Sequence, residues 1–493
     1  MATPRSGSPL CKRRDFLKLA AVSSAALPAA AKSASGFPSV IPCPSSRSFD
    51  LVVAGGSTTG VFAAVQAARA GLKVALVENN ALFGGTATAG FVPVWHAMYS
   101  TKGKRIVSGL SAEVVDRMIA RGEAVTYFKG KDPCRWTTSL NVAALSVALD
   151  ELVMAEKGIT PFLSTRLVAA ETDRPGHVTR AIVEDKDGRK ALEAKFFIDA
   201  TGDADLLARA GFETWKLPPA DLQAHTLCAI IANEKAVKRR HPDFSFHAVL
   251  DPANGGGFDH VFGWDHEVVG CPDVIFNAFT RVSNLDPSIA GDLTKAMLAA
   301  RVQLRRIVDH ANKMFPMPKG EPGIALVAIA PMLGIRESRH ARCLYSVTRD
   351  DVLLGRTYDD VIARGIYRID IHEGKGIRFL NLDGTERLMT VDDAGKVTWK
   401  NSRWRAESEG VTDHYEIPYR AIVPKGSENV LCAGRMLDCS RDAYGALRVM
   451  INCNQMGEAA GAAAARAVRE GLPAGRAYAG CPSQVPLYSH SVS

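Results

Sequence analysis

The chain has 493 residues, 47% hydrophobic and 23% charged, with a formal net charge of +8. That supplies a large apolar core, and no run reaches the roughly 18 apolar residues of a membrane-spanning helix. The 10 cysteines include no CxxC pair, which argues against a dithiol-exchange site and a zinc ribbon, and no metal site is expected.

Residues 1–31 read as a targeting segment. Arg13-Arg14 are followed by Asp15-Phe16-Leu17-Lys18, a mildly apolar stretch from Leu19 to Leu27, and the small residues Ala29-Ala30-Ala31. This resembles a twin-arginine signal peptide. It implies export to the periplasm or beyond by the twin-arginine translocation machinery, which carries chains already folded around their cofactors. The leader holds five basic residues against one acidic residue, so the remainder carries only +4. So small a surplus does not argue for nucleic acid. Residues 32–48, rich in Ser, Pro and Ala, read as a linker.

From Asp50 to Glu78 the order is strand, glycine turn, helix, strand, acid. Leu51-Val52-Val53-Ala54 is a short apolar run suited to a parallel strand covered on both faces. Gly55 and Gly56 allow a tight turn, and Gly60 lets the next helix pack closely on the strand. Backbone N–H groups at that helix start then face a pyrophosphate. Ser57 stands where the G-x-G-x-x-G fingerprint has its middle glycine. Glu78, 18 residues beyond Gly60, is placed to accept the ribose hydroxyls of an adenosine and to repel a 2′-phosphate. The small-residue loop Phe83 to Gly90 offers no bulk against a second phosphate or a flat ring.

Helices are expected over Leu110–Arg121 and Asn141–Lys157, then strands at Ile159–Leu163, Arg166–Ala170, His177–Glu184, Lys190–Ala194 and Phe196–Ala200. Asp187-Gly188 is a hairpin signal. Thr201 or Asp203 caps a following helix. Residues 213–423 mix strand and helix signals, including a helix over Asp292–Asn312 and turns at Asp383-Gly384 and Asp393-Ala394-Gly395. Val430–Ala433 is a strand. A long helix follows over Leu447–Arg466, with Gly457 and Gly461 four apart where backbone can approach backbone.

The turn Val53–Gly60, the loop Phe83–Gly90, Asp199-Ala200-Thr201-Gly202-Asp203 and Leu333–Arg339 occur in order. Ile369-Asp370-Ile371-His372, Ile417-Pro418-Tyr419-Arg420 and Ala433-Gly434-Arg435 follow. Together these resemble the bacterial FAD-dependent oxidoreductase family, with a glutathione-reductase-like nucleotide domain, from about residue 49 to about residue 467. The resemblance implies an α/β chain: a Rossmann-like FAD-binding domain in two parts (49–212 and 424–471), a sheet-based substrate domain inserted at 213–423, and a tail at 472–493. It implies FAD as cofactor. Gly55, Gly56, Ser57 and Gly60 then hold the pyrophosphate, Glu78 the ribose, and Gly84, Gly85 and Thr86 the phosphate and flavin side. Thr201, Gly202 and Asp203 border the adenosine or pyrophosphate end, while Gly434, Arg435 and Arg448 approach the ribityl chain and the flavin pyrimidine edge.

On the substrate side, His96 follows the glycine loop and is either close to the flavin or an ordinary buried histidine. Arg336, Arg339 and His340 form a basic group that binds a carboxylate, polarises a carbonyl, or anchors glutamates between domains. Asp370 and His372 alternate on a short strand and face the same side, as a carboxylate-oriented base or as a structural pair. Arg441, Asp442 and Tyr444 are further candidates for the pocket wall. The expected activity is hydride transfer between a small organic substrate and flavin N5, with the electron acceptor open. The alternatives are a redox-neutral flavoenzyme and a non-catalytic nucleotide-binding protein.

Overall fold

The apolar runs Leu51–Ala54 and Val74–Val77 lie side by side in parallel, at the centre of the largest sheet of the computed structural model. Residues 46–128, 136–258, 260–373, 376–392, 396–480 and 482 are described; the leader, almost all of the linker, the turn at 393–395 and most of the tail lie outside them. The sheet consists of β1 (Ser46–Ala54), β2 (Val74–Val77), β3 (Ile159–Phe162), β4 (Arg166–Arg174), β5 (His177–Asp185), β6 (Gly188–Asp199) and β7 (Val430–Cys432). Its order is β3-β2-β1-β6, all parallel.

Beyond that point β6 serves two neighbours. Its first half joins the antiparallel meander β4-β5-β6, and its second half pairs in parallel with β7, which faces Phe197–Asp199. The expected hairpin at Asp187-Gly188 forms. The two strands expected at Lys190–Ala194 and Phe196–Ala200 are one strand, because β1 holds the chain extended from Ala191 to Asp199.

The helix α1 (Thr58–Arg69) follows β1 and packs along α2 (Met450–Glu470). A Cβ on Gly457 would stand 2.2 Å from the Thr59 carbonyl oxygen, and one on Gly461 2.2 Å from that of Ala63. Only glycine permits this approach. The helix expected from Leu447 is broken: Arg441–Leu447 is a separate short helix, Val449 is extended, and α2 starts at Met450.

Within 213–423 the chain is divided between the main core and three smaller ones. Strands Ala229–Ala232, Val274–Asn277 and Ala325–Ile329 join Asp265–Glu267 in an antiparallel sheet. The helix Ala290–Met314 packs Ile307, Val308 and Ala311 with Ile231 and Ile275 in a core separate from the main one. Residues beyond 340 return to the main core, which takes in Ile362, Ile371, Tyr415, Ile417 and Ile422. A second meander, Ile369–Glu373, Gly376–Leu380, Thr385–Val391 and Val397–Arg403, begins with the strand that carries Asp370 and His372.

The six described cysteines are free, and all but Cys271 are buried. No helix among the described residues is long and apolar enough to cross a membrane. No cluster of three metal-ligating side chains occurs among them either.

Candidate functional site

Two glycine loops meet at the head of α1. Gly55 has φ +98°, and a Cβ there would stand 2.4 Å from the Ala200 carbonyl oxygen. The Ser57 side chain caps α1 at Gly60 N and donates to Ala200 O at 3.3 Å. Ser57 therefore keeps the turn closed against the end of β6, which is why the missing middle glycine does not open it. The loop holding Gly84 and Gly85, both at positive φ, bridges to Ser57 and leaves 3.1 Å between the Ser57 Cβ and a Cβ built on Gly85. Glu78 ends β2 buried, and its carboxylate accepts from Gly56 N at 2.7 Å and Asn80 N at 2.7 Å. Burial pushes the Glu78 carboxyl up, against the pull of these donors.

Asp199 is fully buried and organises the next loop. Its carboxylate accepts from Thr201 N at 3.0 Å, Thr201 Oγ1 at 2.7 Å and Leu207 N at 3.0 Å. Thr201 in turn accepts from Asp205 N at 2.9 Å, but the N-cap of the helix Asp205–Arg209 is Ala204 without a side-chain cap, so neither Thr201 nor Asp203 is the cap residue expected. Asp203 pairs with Arg435 at 2.5 Å and accepts from Ser338 Oγ. Gly434, at φ +119°, sets Arg435 beside Gly202.

Next to these loops lies a cavity of about 430 Å³. Thr86, Arg435, Arg448, Val449 and Met450 line it together with His96, Arg336, Asp370 and His372. The N-terminus of α2 reaches the wall at Met450 without a side-chain cap. His372 Nε2 stands 3.1 Å from Asp370 Oδ1, and His372 Nδ1 is buried with no partner. Burial, with Arg336 and Arg281 adding to it, drops the His372 imidazole to about 3. Burial would raise Asp370, but His372, Arg448 and Arg368 outweigh it and hold the carboxyl well below its usual range. At neutral pH the pair is thus an ionised Asp370 and a neutral His372. The two stand at ion-pair distance, but Asp370 Oδ1 is buried without a hydrogen-bond partner, so the carboxylate acts on the ring through its charge. His96 is also dropped, to about 4, by burial and then by the charge of Arg368.

Not every candidate is at the cavity. Arg339 pairs with Asp205 at 3.0 Å, and His340 is stacked on Trp215 and bonded to Glu337 at 3.2 Å. Tyr444 donates to Arg336 O at 2.6 Å, Arg441 donates to Asp221 O at 3.4 Å, and Asp442 lies 3.9 Å from Arg349. Three residues of the site went unread in the sequence. Tyr367 donates to Asp370 at 3.0 Å, Arg368 lines the cavity, and Gln223 accepts from Arg448 at 3.2 Å. Tyr367 and Arg368 adjoin the Ile369–His372 motif, and that adjacency was their only signal.

The family model for FAD dependent oxidoreductases matches residues 50–476. The chain belongs to that family. It is an FAD-dependent oxidoreductase, and FAD is its cofactor. No curated protein matches the sequence. Among solved structures it is similar to the p-nitrophenol 4-monooxygenase of Pseudomonas putida, at 12% identity over 86% of this chain and 81% of that one, with a TM-score of 0.38. It is also similar to a myxobacterial chondrochloren halogenase, at 13% over 87% and 77%, TM-score 0.44. A geranylgeranyl bacteriochlorophyll reductase-like protein of Thermoplasma acidophilum gives 11% over 87% and 80%, TM-score 0.40. Likeness this distant carries no argument about substrate or reaction.

The oxidoreductase's own residues fit FAD. The cradle of Gly55, Gly56 and Gly60 has no room for side chains. Beside it, Asn454 accepts from Thr58 at 2.6 Å and leaves its buried Nδ2 unpartnered. The uncapped start of α2 at the cavity wall leaves N–H donors of the kind a flavin pyrimidine edge accepts from.

Proposed function

We propose that this oxidoreductase is exported by the twin-arginine route and acts in the periplasm or outside on a small organic substrate, by hydride transfer to or from flavin N5. We also read its parallel sheet with the added meander as a Rossmann-like, glutathione-reductase-like nucleotide domain. The observation that carries the reaction is His372: an imidazole 3.1 Å from the Asp370 carboxylate, on the wall of the cavity that Arg435 and the α2 N-terminus also line.

Gly55, Gly56, Ser57 and Gly60 hold the pyrophosphate, Glu78 the ribose, and Arg435 with the start of α2 the flavin end. FAD bound there supplies a two-electron acceptor or donor for a hydride. His372 Nδ1 takes the proton of a substrate hydroxyl or amine when that substrate is oxidised, and returns it in the reverse direction. Asp370, 3.1 Å away, steadies the imidazolium by its charge. Arg448 and Tyr367 hold Asp370 in turn, at 3.7 and 3.0 Å.

Anaerobic mixing of the holoprotein with hydroxy acids, amines, sugars and unsaturated acids tests this directly. At least one class is expected to bleach the flavin, and His372→Ala to slow that bleaching by roughly 10²–10⁴-fold with FAD content unchanged. Equal rates in the two proteins would remove His372 from the reaction.

A further inference from the structure

The cavity wall holds more positive charge than its own acids answer. Arg435 is neutralised by Asp203 at 2.5 Å and Arg448 by Asp370 at 3.7 Å. Asp265, the other carboxylate on the wall, is exposed. Arg336 and Arg368 remain, and no ion pair joins either of them to a carboxylate among the described residues.

Both are held by neutral groups that leave donors open. Arg336 spends Nη1 on Ala224 O at 2.5 Å and Thr226 Oγ1 at 2.7 Å, so its Nε–Nη2 edge is uncommitted. That edge carries two parallel N–H bonds, the spacing a carboxylate accepts bidentately. Arg368 lies with its guanidinium carbon 3.9 Å from the centroid of the Phe379 ring, and its Nε is buried without a partner. Stacking fixes the plane of the guanidinium and leaves its edges to donate. Both residues are half-buried, and an anion entering between them recovers part of the cost of their desolvation.

Resting on the reading of this cavity as the substrate site, we propose that the substrate carries a free carboxylate, bound by the guanidinium groups of Arg336 and Arg368. Asp370 does not repel it decisively, since Arg448 already answers that charge. His372, on the same wall, then adjoins the non-carboxylate part of the same molecule.

The test is titration of the oxidised holoprotein with acetate, glycolate and benzoate, with acetamide, ethylene glycol and benzamide as neutral counterparts and sulfate and phosphate as other anions. The readout is the perturbation of the visible flavin spectrum. Carboxylates are expected to perturb it saturably and the neutral counterparts not. Arg368→Gln should weaken binding by about 10–100-fold and Arg368→Lys by less, both with wild-type FAD content. If Arg368→Gln does not fold, Arg336→Lys serves, because it keeps the charge and loses the fork.

Neutral analogues binding as well as carboxylates would overturn the carboxylate and leave the cavity as substrate site. Sulfate or phosphate binding as tightly would overturn the choice of carboxylate among anions. Failure of every ligand, together with unchanged bleaching in His372→Ala, would bring down the reading of the cavity as well.

Discussion

The His372 imidazole sits so far below its ordinary range that it stays a base over all physiological pH. Its folded value of about 3 follows from burial and from neighbouring guanidiniums, with Asp370 opposing. The rate of flavin reduction by substrate is therefore expected to stay level from pH 8 to pH 5 where an unperturbed histidine would lose its lone pair. A stopped-flow pH profile checks this, and a fall centred near the usual histidine value would contradict it. Asp370→Asn should lower the same rate by roughly 10²–10⁴-fold, since it removes the charge that steadies the imidazolium. The Asp370–His372 relation was legible in the sequence because a two-residue spacing on a strand has only one geometric meaning. The basic group at 336–340 was not, because its segment is irregular. There Arg336 turns to the cavity and Arg339 to Asp205, and composition does not report direction.

At the scale of elements, α2 is tied to its neighbours by what it lacks and by one acid. Gly461→Ala is expected to cost about 1–3 kcal/mol in thermal or denaturant unfolding, because the added methyl meets the Ala63 carbonyl. Gly457→Ala should in addition lower FAD occupancy, since it pushes on Thr59 in the first turn of α1. Wild-type stability in both would contradict the close packing.

Glu458, on the same helix, is buried against the start of the helix Gly109–Ala120. Burial raises its carboxyl to about 7, against the N–H groups of Leu110 and Ser111. Between pH 4.5 and about 7 the unfolded chain has lost this proton and the folded chain keeps it. Stability therefore falls as pH rises through that window, by about 3 kcal/mol in all, and levels off above it. Glu458→Gln should remove that slope and raise the melting temperature at pH 8; an unchanged slope would place the titration elsewhere. The spacing of Gly457 and Gly461 was readable beforehand as a site of close approach. The break at Arg448–Val449 was not, since neither glycine nor proline marks it, yet it creates the open helix end at the cavity.

For the whole molecule, the nucleotide half was written in local signals: apolar runs, a glycine turn and a spaced acid, each set by neighbours in sequence. The segment 213–423 was harder, because its strands pair over long separations and its later part belongs to the main core. Periodicity showed sheets there without showing which core they join. The proposed export is tested on the full chain. Replacing Arg13 and Arg14 by lysine is expected to leave full-length, unprocessed protein in the cytoplasm, and normal processing of that variant would contradict the twin-arginine reading.

The most direct test of the account is an experimental structure of the FAD-loaded protein. The diphosphate is expected at the Gly55–Gly60 turn and the flavin ring against Thr86, Arg435 and Met450, with its reactive face open to His372. A ring lying elsewhere, with the Asp370–His372 pair out of its reach, would contradict it.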